Sequence, residues 1–298
     1  MPWIKLTIDA SEVAPANVEL VLESLGANAI TLEDAGDDPQ LEPGVGETPL
    51  WRETRVSGLF PAEQDVTALK QSLAELWPGK TMPRLTVDAL EDRDWTLAWA
   101  DHARVTAYGD RLWACPDAEA HPEVPDDAVR LIIPPGLAFG TGSHPTTAMC
   151  LEWLNDQVRP GMTVMDYGCG SGILAVAAAR LGADRVIAVD NDPQALTATL
   201  DNARANGVED RLGVHLPDDC PDEKVDLLVA NILANPLIEL APVLCRHLKA
   251  GAGLALTGIL SEQADAVAAA YGDNVTGLQR RQREEWVLLQ GQRPPAGD

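Results

Sequence analysis

The chain has 298 residues, 46 % of them hydrophobic and 23 % charged, which is enough apolar material for one large domain or two modest ones and argues against disorder as a whole. Acidic residues outnumber basic ones 46 to 22, a formal net charge of -24, so nucleic-acid binding across a broad basic face is disfavoured, whereas a Lys-rich protein would be attracted. Cys115, Cys150, Cys169, Cys220 and Cys245 form no CxxC pair, which argues against a disulfide framework or a metal site and for a reducing compartment.

The first residues, from Met1 to Leu6, lack a basic region followed by a long apolar run. No signal peptide, membrane span or membrane contact is expected, and the chain reads as cytoplasmic. Trp3 to Ile8 alternates like a strand. Pro15 to Leu25 carries Val18, Val21, Leu22 and Leu25 at helical spacing. Ala29 to Leu32 reads as a short strand and the Gly- and Pro-bearing stretch from Asp34 to Pro49 as a loop. Trp51 to Leu59 follows as a strand, Ala62 to Trp77 as a helix and Arg84 to Leu90 as a last strand. The order β-α-β-β-α-β predicts a ferredoxin-like α+β domain over residues 1–92. Residues 93–106 read as a linker helix, in which Trp95 and Trp99, four apart, share a face that packs.

Residues 107–292 read as a second domain, with 293–298 as a tail. It opens with a strand-rich, Pro-interrupted connector from Tyr108 to Pro134. From Gly161 onward strands and helices alternate. Thr163 to Asp166, Val186 to Asp190, Leu212 to Leu216, Asp226 to Ala230 and Leu254 to Thr257 read as strands. Ile173 to Leu181, Pro193 to Asn206, Pro236 to Leu248 and Glu262 to Tyr271 read as helices, and two strand-like runs follow near Val275 and Val287. Short apolar strands alternating with helices predict an α/β fold with a parallel sheet covered on both faces.

Within that domain Asp166-Tyr167-Gly168-Cys169-Gly170-Ser171-Gly172 follows a strand and opens a helix. Glycine permits unusual φ and close approach of a ligand, and a helix N-terminus favours a carboxylate. A dinucleotide fingerprint G-x-G-x-x-G would need its third Gly at 173, which is Ile. Glycines at alternate positions, Gly168, Gly170 and Gly172, instead suit S-adenosylmethionine, which has no pyrophosphate. Asp190 ends the next strand, where a carboxylate can accept ribose hydroxyls. A tight strand–helix turn without a ligand is the other reading of the Gly run. Asn231 ends a further strand, so its amide oxygen can accept a hydrogen bond from a substrate amine. Asn235 reads as the cap of the next helix, with Pro236 in its first position.

The stretch Pro134-Pro135-Gly136-Leu137-Ala138-Phe139-Gly140-Thr141-Gly142-Ser143-His144-Pro145-Thr146-Thr147 holds too many Gly, Pro and Thr residues for a regular element. It resembles the hallmark PGLAFGTGTHPTT of the PrmA family, the methyltransferases of ribosomal protein L11, with only Ser143 departing. The resemblance extends to Asp94-Trp95, to Leu112-Trp113-Ala114-Cys115-Pro116, through D-Y-G-C-G-S-G-I-L-A and V-A-N-I-L-A-N-P-L, and to Glu284-Glu285-Trp286. It implies a class I methyltransferase with a Rossmann-like seven-strand sheet and an N-terminal ferredoxin-like domain that recognises substrate. It implies S-adenosyl-L-methionine as cofactor and ribosomal protein L11 as substrate, methylated on lysine ε-amines and the N-terminal α-amine. Thr147, Gly168, Asp190 and Asn231 fall on the family's cofactor-binding positions, and Phe139, Gly140 and Thr141 in its cofactor-covering loop. His144 is shared, with a loop-bracing hydrogen bond as its plain role. Two rivals stay open: a methyltransferase of another protein or of RNA on the same fold, and a binding module that keeps the pocket without catalysis.

Overall fold

The computed structural model of the protein describes residues 3–10, 13–36, 51–79, 81–90, 105–117, 119, 121–132 and 144–295. The expected loop over 37–49, most of the linker helix with Trp95 and Trp99, and Phe139, Gly140 and Thr141 lie outside the described residues. The chain divides into two compact units, Met1–Asp94 and Trp95–Asp298.

The first unit contains strand β1 (Trp3–Asp9), helix α1 (Pro15–Ser24), β2 (Ala29–Asp34), β3 (Thr54–Pro61), α2 (Val66–Leu76) and β4 (Leu85–Leu90). The four strands run in the order β2-β3-β1-β4, and every pairing is antiparallel. That is the ferredoxin-like arrangement. Alternation decides the faces: Ile4, Leu6 and Ile8 of β1 are buried while their neighbours are only half-buried. They pack with Val18 and Leu22 of α1, Val56 and Phe60 of β3, and Leu69 and Leu73 of α2. Asp65 caps α2 by accepting from the amides of Thr67 and Ala68 at 2.7 and 3.2 Å, which satisfies two of the helix's unpaired donors.

The second unit opens with a small sheet, β5 (Thr106–Tyr108), β6 (Leu112–Cys115) and β7 (Val129–Ile132). Helix α3 (Pro145–Gln157) follows. The Pro- and Thr-rich stretch was expected to be irregular through Thr147, but Pro145, Thr146 and Thr147 form the first turn of this helix. The proline explains the difference: at a first helical position its missing N–H costs nothing and its φ is already helical. Thereafter come β8 (Thr163–Tyr167), α4 (Ile173–Arg180), β9 (Arg185–Val189), α5 (Pro193–Ala205), β10 (Leu212–His215), β11 (Val225–Asn231), α6 (Ala234–Arg246), β12 (Leu248–Leu260), α7 (Ala264–Tyr271), β13 (Thr276–Arg283) and β14 (Trp286–Gln292). β12 is far longer than the four residues expected. A register irregularity against β11 falls between Leu248 and Gly253, where Gly251 takes φ +77°.

The sheet order is β10-β9-β8-β11-β12-β14-β13, with β14 antiparallel to both neighbours and the other recorded pairings parallel. Its central strands are apolar on both faces, as burial between two helix layers demands. One face carries Val164, Val186, Val229 and the alanines of α4. The other carries Met165, Ile187, Leu228 and Leu237 of α6. The chain moves outward from β8 through β9 to β10, then returns to place β11 on the other side of β8. That reversal opens a crevice at the carboxyl ends of β8 and β11, the place where open α/β sheets bind ligands.

The core of the first unit shares no residue with the two cores of the second. Leu6 is completely buried in the first. Leu6→Ala should therefore cost about 2–5 kcal/mol in the unfolding of residues 3–90 and leave the transition of the second unit where it was. Urea titration followed by proteolysis of each unit measures both; an equal loss in the second unit would show that the two do not unfold independently.

Candidate active site

Three strand ends build the site. β8 ends at Tyr167 and pairs with Ala230 of β11 on one side and Val189 of β9 on the other. Gly168, Asn231 and Asp190 therefore emerge side by side, each one residue beyond its paired position or at the very end of its strand. The glycine loop leaves β8 with the amides of Gly168 and Cys169 both donating to the carbonyl of Val189, at 2.7 and 3.0 Å. Asp190 then accepts from the amide of Gly170 through Oδ2 at 2.8 Å and from the amide of Asp192 through Oδ1 at 3.0 Å.

Gly168 has φ +79° and Gly172 φ +77°, a region that costs any residue with a Cβ. A Cβ on Gly168 would also overlap Cγ2 of Ile232, and one on Gly172 would lie 2.6 Å from Thr199. The glycines were read as making room for a ligand. At these two positions the crowding partner is the protein itself: the loop is sunk between β11 and α5.

Asp166 is wholly buried. Its Oδ2 accepts from the amide of Ala175 in the first turn of α4 at 2.9 Å, so it caps that helix from the neighbouring strand, and the helix dipole favours its charge. Among the described residues Oδ1 has no hydrogen-bond partner, and neither has the buried hydroxyl of Ser171. Burial pushes the Asp166 carboxyl up to about 7 despite the Ala175 hydrogen bond, with the charge of Asp190 adding to the rise. Burial likewise raises the Cys169 thiol far above its ordinary value, so Cys169 stays neutral.

Thr147 and Asn231 meet across the crevice. Nδ2 of Asn231 donates to Oγ1 of Thr147 at 3.4 Å, which turns the amide so that Oδ1 is presented on the opposite side. Thr147 is buried in the first turn of α3. His144 caps that helix: Nδ1 accepts from the amide of Thr146 at 3.4 Å and meets its hydroxyl at 2.7 Å. The expected bracing hydrogen bond of His144 is this cap. Its ring also stands edge-on to Trp286, with centroids 5.0 Å apart, an arrangement aromatic pairs favour. Further along α3, Glu152 pairs with Arg281 and with Arg283 at 2.9 Å, both on β13. The helix that brings Thr147 to Asn231 is thus held at its start and in its middle.

One expected role is corrected. Asn235 does not cap α6, and Pro236 is not its first residue. The helix begins at Ala234, Leu233 occupies the cap position, and no side chain caps it. The chain turns into the helix directly after Asn231 and Ile232, leaving no room for two more loop residues. Asn235 is exposed on the helix. Of the sequence-derived residues, Thr147, Asp166, Gly168, Gly170, Gly172, Asp190 and Asn231 come together. Thr199 and Asn202 of α5 were missed. Their only signal is polar residues at 199, 202 and 206, a spacing that lines one face of a helix where a buried helix would carry apolar ones.

The family model described as ribosomal protein L11 methyltransferase (PrmA) matches residues 2–294. The chain is 48 % identical over 298 residues to the ribosomal protein L11 methyltransferase of Marinobacter nauticus, covering 98 % of this chain and 99 % of that one. It is 47 % identical over 294 residues to the protein of that name from Pseudomonas aeruginosa, with 98 % and 99 % covered. The crystal structure of a ribosomal protein L11 methylase from Lactobacillus delbrueckii subsp. bulgaricus superposes with a TM-score of 0.57 at 34 % identity, over 64 % of this chain and 98 % of that chain.

The buried carboxyl of Asp166 has a measurable consequence. Its native pKa of about 7 lies above the ordinary 3.8, so between those values the native protein holds a proton that the unfolded chain has released. Stability must then fall as pH rises from about 4 to about 7. Asp166→Asn keeps an oxygen for the Ala175 amide and removes the titration. The difference in unfolding free energy between variant and wild type should shift in the variant's favour by a few kcal/mol across that window. A difference that stays flat with pH would show that Asp166 is not held protonated.

Proposed function

The chain belongs to the ribosomal protein L11 methyltransferase (PrmA) family, and we propose that it transfers methyl groups from S-adenosylmethionine to amines of ribosomal protein L11, namely lysine ε-amines and the N-terminal α-amine. The observation that carries the reading is the Asn231–Thr147 contact at the end of β11, beside the glycine loop and Asp190.

The residues present suit the cofactor. Buried polar atoms without partners call for an explanation, and a ligand bearing an ammonium, a carboxylate and a ribose supplies partners for Asp166 Oδ1 and the Ser171 hydroxyl, which have none among the described residues. Asp190 would take the ribose hydroxyls, Gly168, Gly170 and Gly172 would line the methionine end, and Thr147, with Phe139, Gly140 and Thr141, would complete the enclosure. Bound there, S-adenosylmethionine supplies a methyl group on a positively charged sulfur.

The chain's own part is to hold and desolvate the amine. A lysine ammonium, with pKa near ~10.4, must lose a proton before it can attack. Ile232 and the exposed Leu233 follow directly on Asn231, and an apolar mouth lowers an amine's pKa by penalising its charge. Oδ1 of Asn231 accepts one N–H of the incoming amine and aims the nitrogen lone pair, which is the positioning that makes the transfer fast. Water takes the proton. The unit Met1–Asp94 grips the protein substrate, and the acidic surface steers a Lys-rich partner towards the site and away from nucleic acid and membranes. Among the described residues no helix is long and apolar enough to cross a membrane; a cytoplasmic site of action is part of the proposal.

Incubation with methyl-labelled cofactor and unmethylated ribosomal protein L11 should label the protein on lysine and its N-terminus. Label on RNA instead would refute the substrate assignment. Asp190→Ala should weaken S-adenosylhomocysteine binding by about tenfold to a hundredfold, the loss of a charge-assisted hydrogen bond. Asn231→Ala should slow turnover at least about tenfold while changing that affinity less. Full turnover in Asn231→Ala would remove the residue from the catalytic site.

A further inference from the structure

The proposed reaction uses the glycine loop but leaves unexplained three polar side chains behind it. Thr199, Asn202 and Asn206 lie on one face of α5, the last just beyond its end. Thr199 is fully buried. Its hydroxyl donates to the carbonyl of Gly170 at 3.2 Å and lies 3.4 Å from the Cys169 sulfur. Nδ2 of Asn202 donates to the carbonyl of Ser171 at 2.8 Å. Two successive loop carbonyls are thus taken by one helix face.

A trans peptide points its N–H opposite to its C=O. With the Gly170 carbonyl turned to Thr199, the Ser171 amide faces away from α5. With the Ser171 carbonyl turned to Asn202, the Gly172 amide also faces away, where the carbonyl of Cys169 takes it at 2.8 Å. On the other side the amide of Gly170 is held by Asp190. Each peptide plane from Gly170 to Gly172 is fixed. Glycines alone would leave these planes free to rotate, since they resist no rotation sterically.

The same face reaches a second element. Oδ1 of Asn206 accepts from the amide of Ile132 at 2.7 Å, and its Nδ2 donates to the Ile132 carbonyl at 2.8 Å, pairing with both backbone groups as a strand would. Nδ2 also donates to the backbone carbonyl of Asn202 at 2.8 Å. Ile132 ends β7. The glycine loop and the end of β7 are therefore tied to one helix through adjoining amides.

We propose that Thr199 and Asn202, backed by Asn206, are positioning residues for cofactor binding: they hold the Gly170 and Ser171 carbonyls out of the crevice and keep the loop in its ligand-accepting form. This rests on the reading that the loop binds S-adenosylmethionine. The residues touch the loop from behind and make no contact with the reacting atoms.

The test compares three variants of the full-length protein by calorimetry with S-adenosylhomocysteine, by thermal melting and by steady-state kinetics. Thr199→Val keeps the shape and removes the hydroxyl, Thr199→Ser keeps the hydroxyl, and Asn202→Ala removes the amide. One hydrogen bond's worth of loop order corresponds to about threefold to tenfold in affinity. Thr199→Val and Asn202→Ala should raise Kd and the KM for the cofactor by that factor with kcat within about twofold, and Thr199→Ser should restore wild-type affinity. Unchanged Kd in both Thr199→Val and Asn202→Ala would overturn the proposal, as would a Thr199→Ser variant no better than Thr199→Val. A wild-type protein that fails to bind S-adenosylhomocysteine would overturn the cofactor reading itself, so the two failures are distinguishable.

Discussion

The structure depends on how the glycine loop after β8 is pinned on all sides. Val189 and Asp190 at the end of β9 take the amides of Gly168, Cys169 and Gly170. Thr199 and Asn202 of α5 take the carbonyls of Gly170 and Ser171. Ile232, just beyond β11, fills the space where a Cβ on Gly168 would stand. The end of β9, helix α5 and the residue after β11 thus converge on a turn held mainly through its backbone. Preorganisation of this kind means that a ligand need not pay to order the loop on binding.

The convergence follows from topology. Only because β11 returns to the far side of β8 does Asn231 lie next to Gly168, and α3, packed on β11, β12 and β14, brings Thr147 to Asn231. His144 and Trp286, more than a hundred residues apart, meet edge to face at the start of the same helix. Two motifs that look unrelated along the chain, one containing His144 and one ending in Trp286, meet in this brace.

Asp166 shows what the arrangement costs. A carboxylate with one unpaired oxygen in a dry interior is unfavourable unless its charge is compensated, and the Ala175 amide compensates only in part. Asp166 caps α4 through the Ala175 amide. The acidic surface is a separate matter. Most of its ion pairs join exposed side chains, where screening by solvent leaves each worth little.

The two folds and most residues of the candidate site were legible in the sequence, because both are written in local patterns. Period-two alternation in Trp3 to Ile8, the Ala-rich run from Ile173, the alternate glycines after Asp166 and the strand-end positions of Asp190 and Asn231 are each set by a few neighbouring residues. What local pattern could not decide was settled by partners distant in sequence. Asn235 looks like a helix cap, but the helix starts earlier, at Ala234, just after Ile232, which lies against Gly168 and the positive-φ Gly258. Gly251 takes φ +77° where β12 shifts register against β11, while Gly253 pairs with both Leu227 of β11 and Gln292 of β14. The roles of Thr199, Asn202 and Asn206 exist only where α5 lies against a loop some thirty residues earlier and a strand some seventy earlier, since a hydrogen bond to a carbonyl far along the chain leaves no mark on the sequence around either partner.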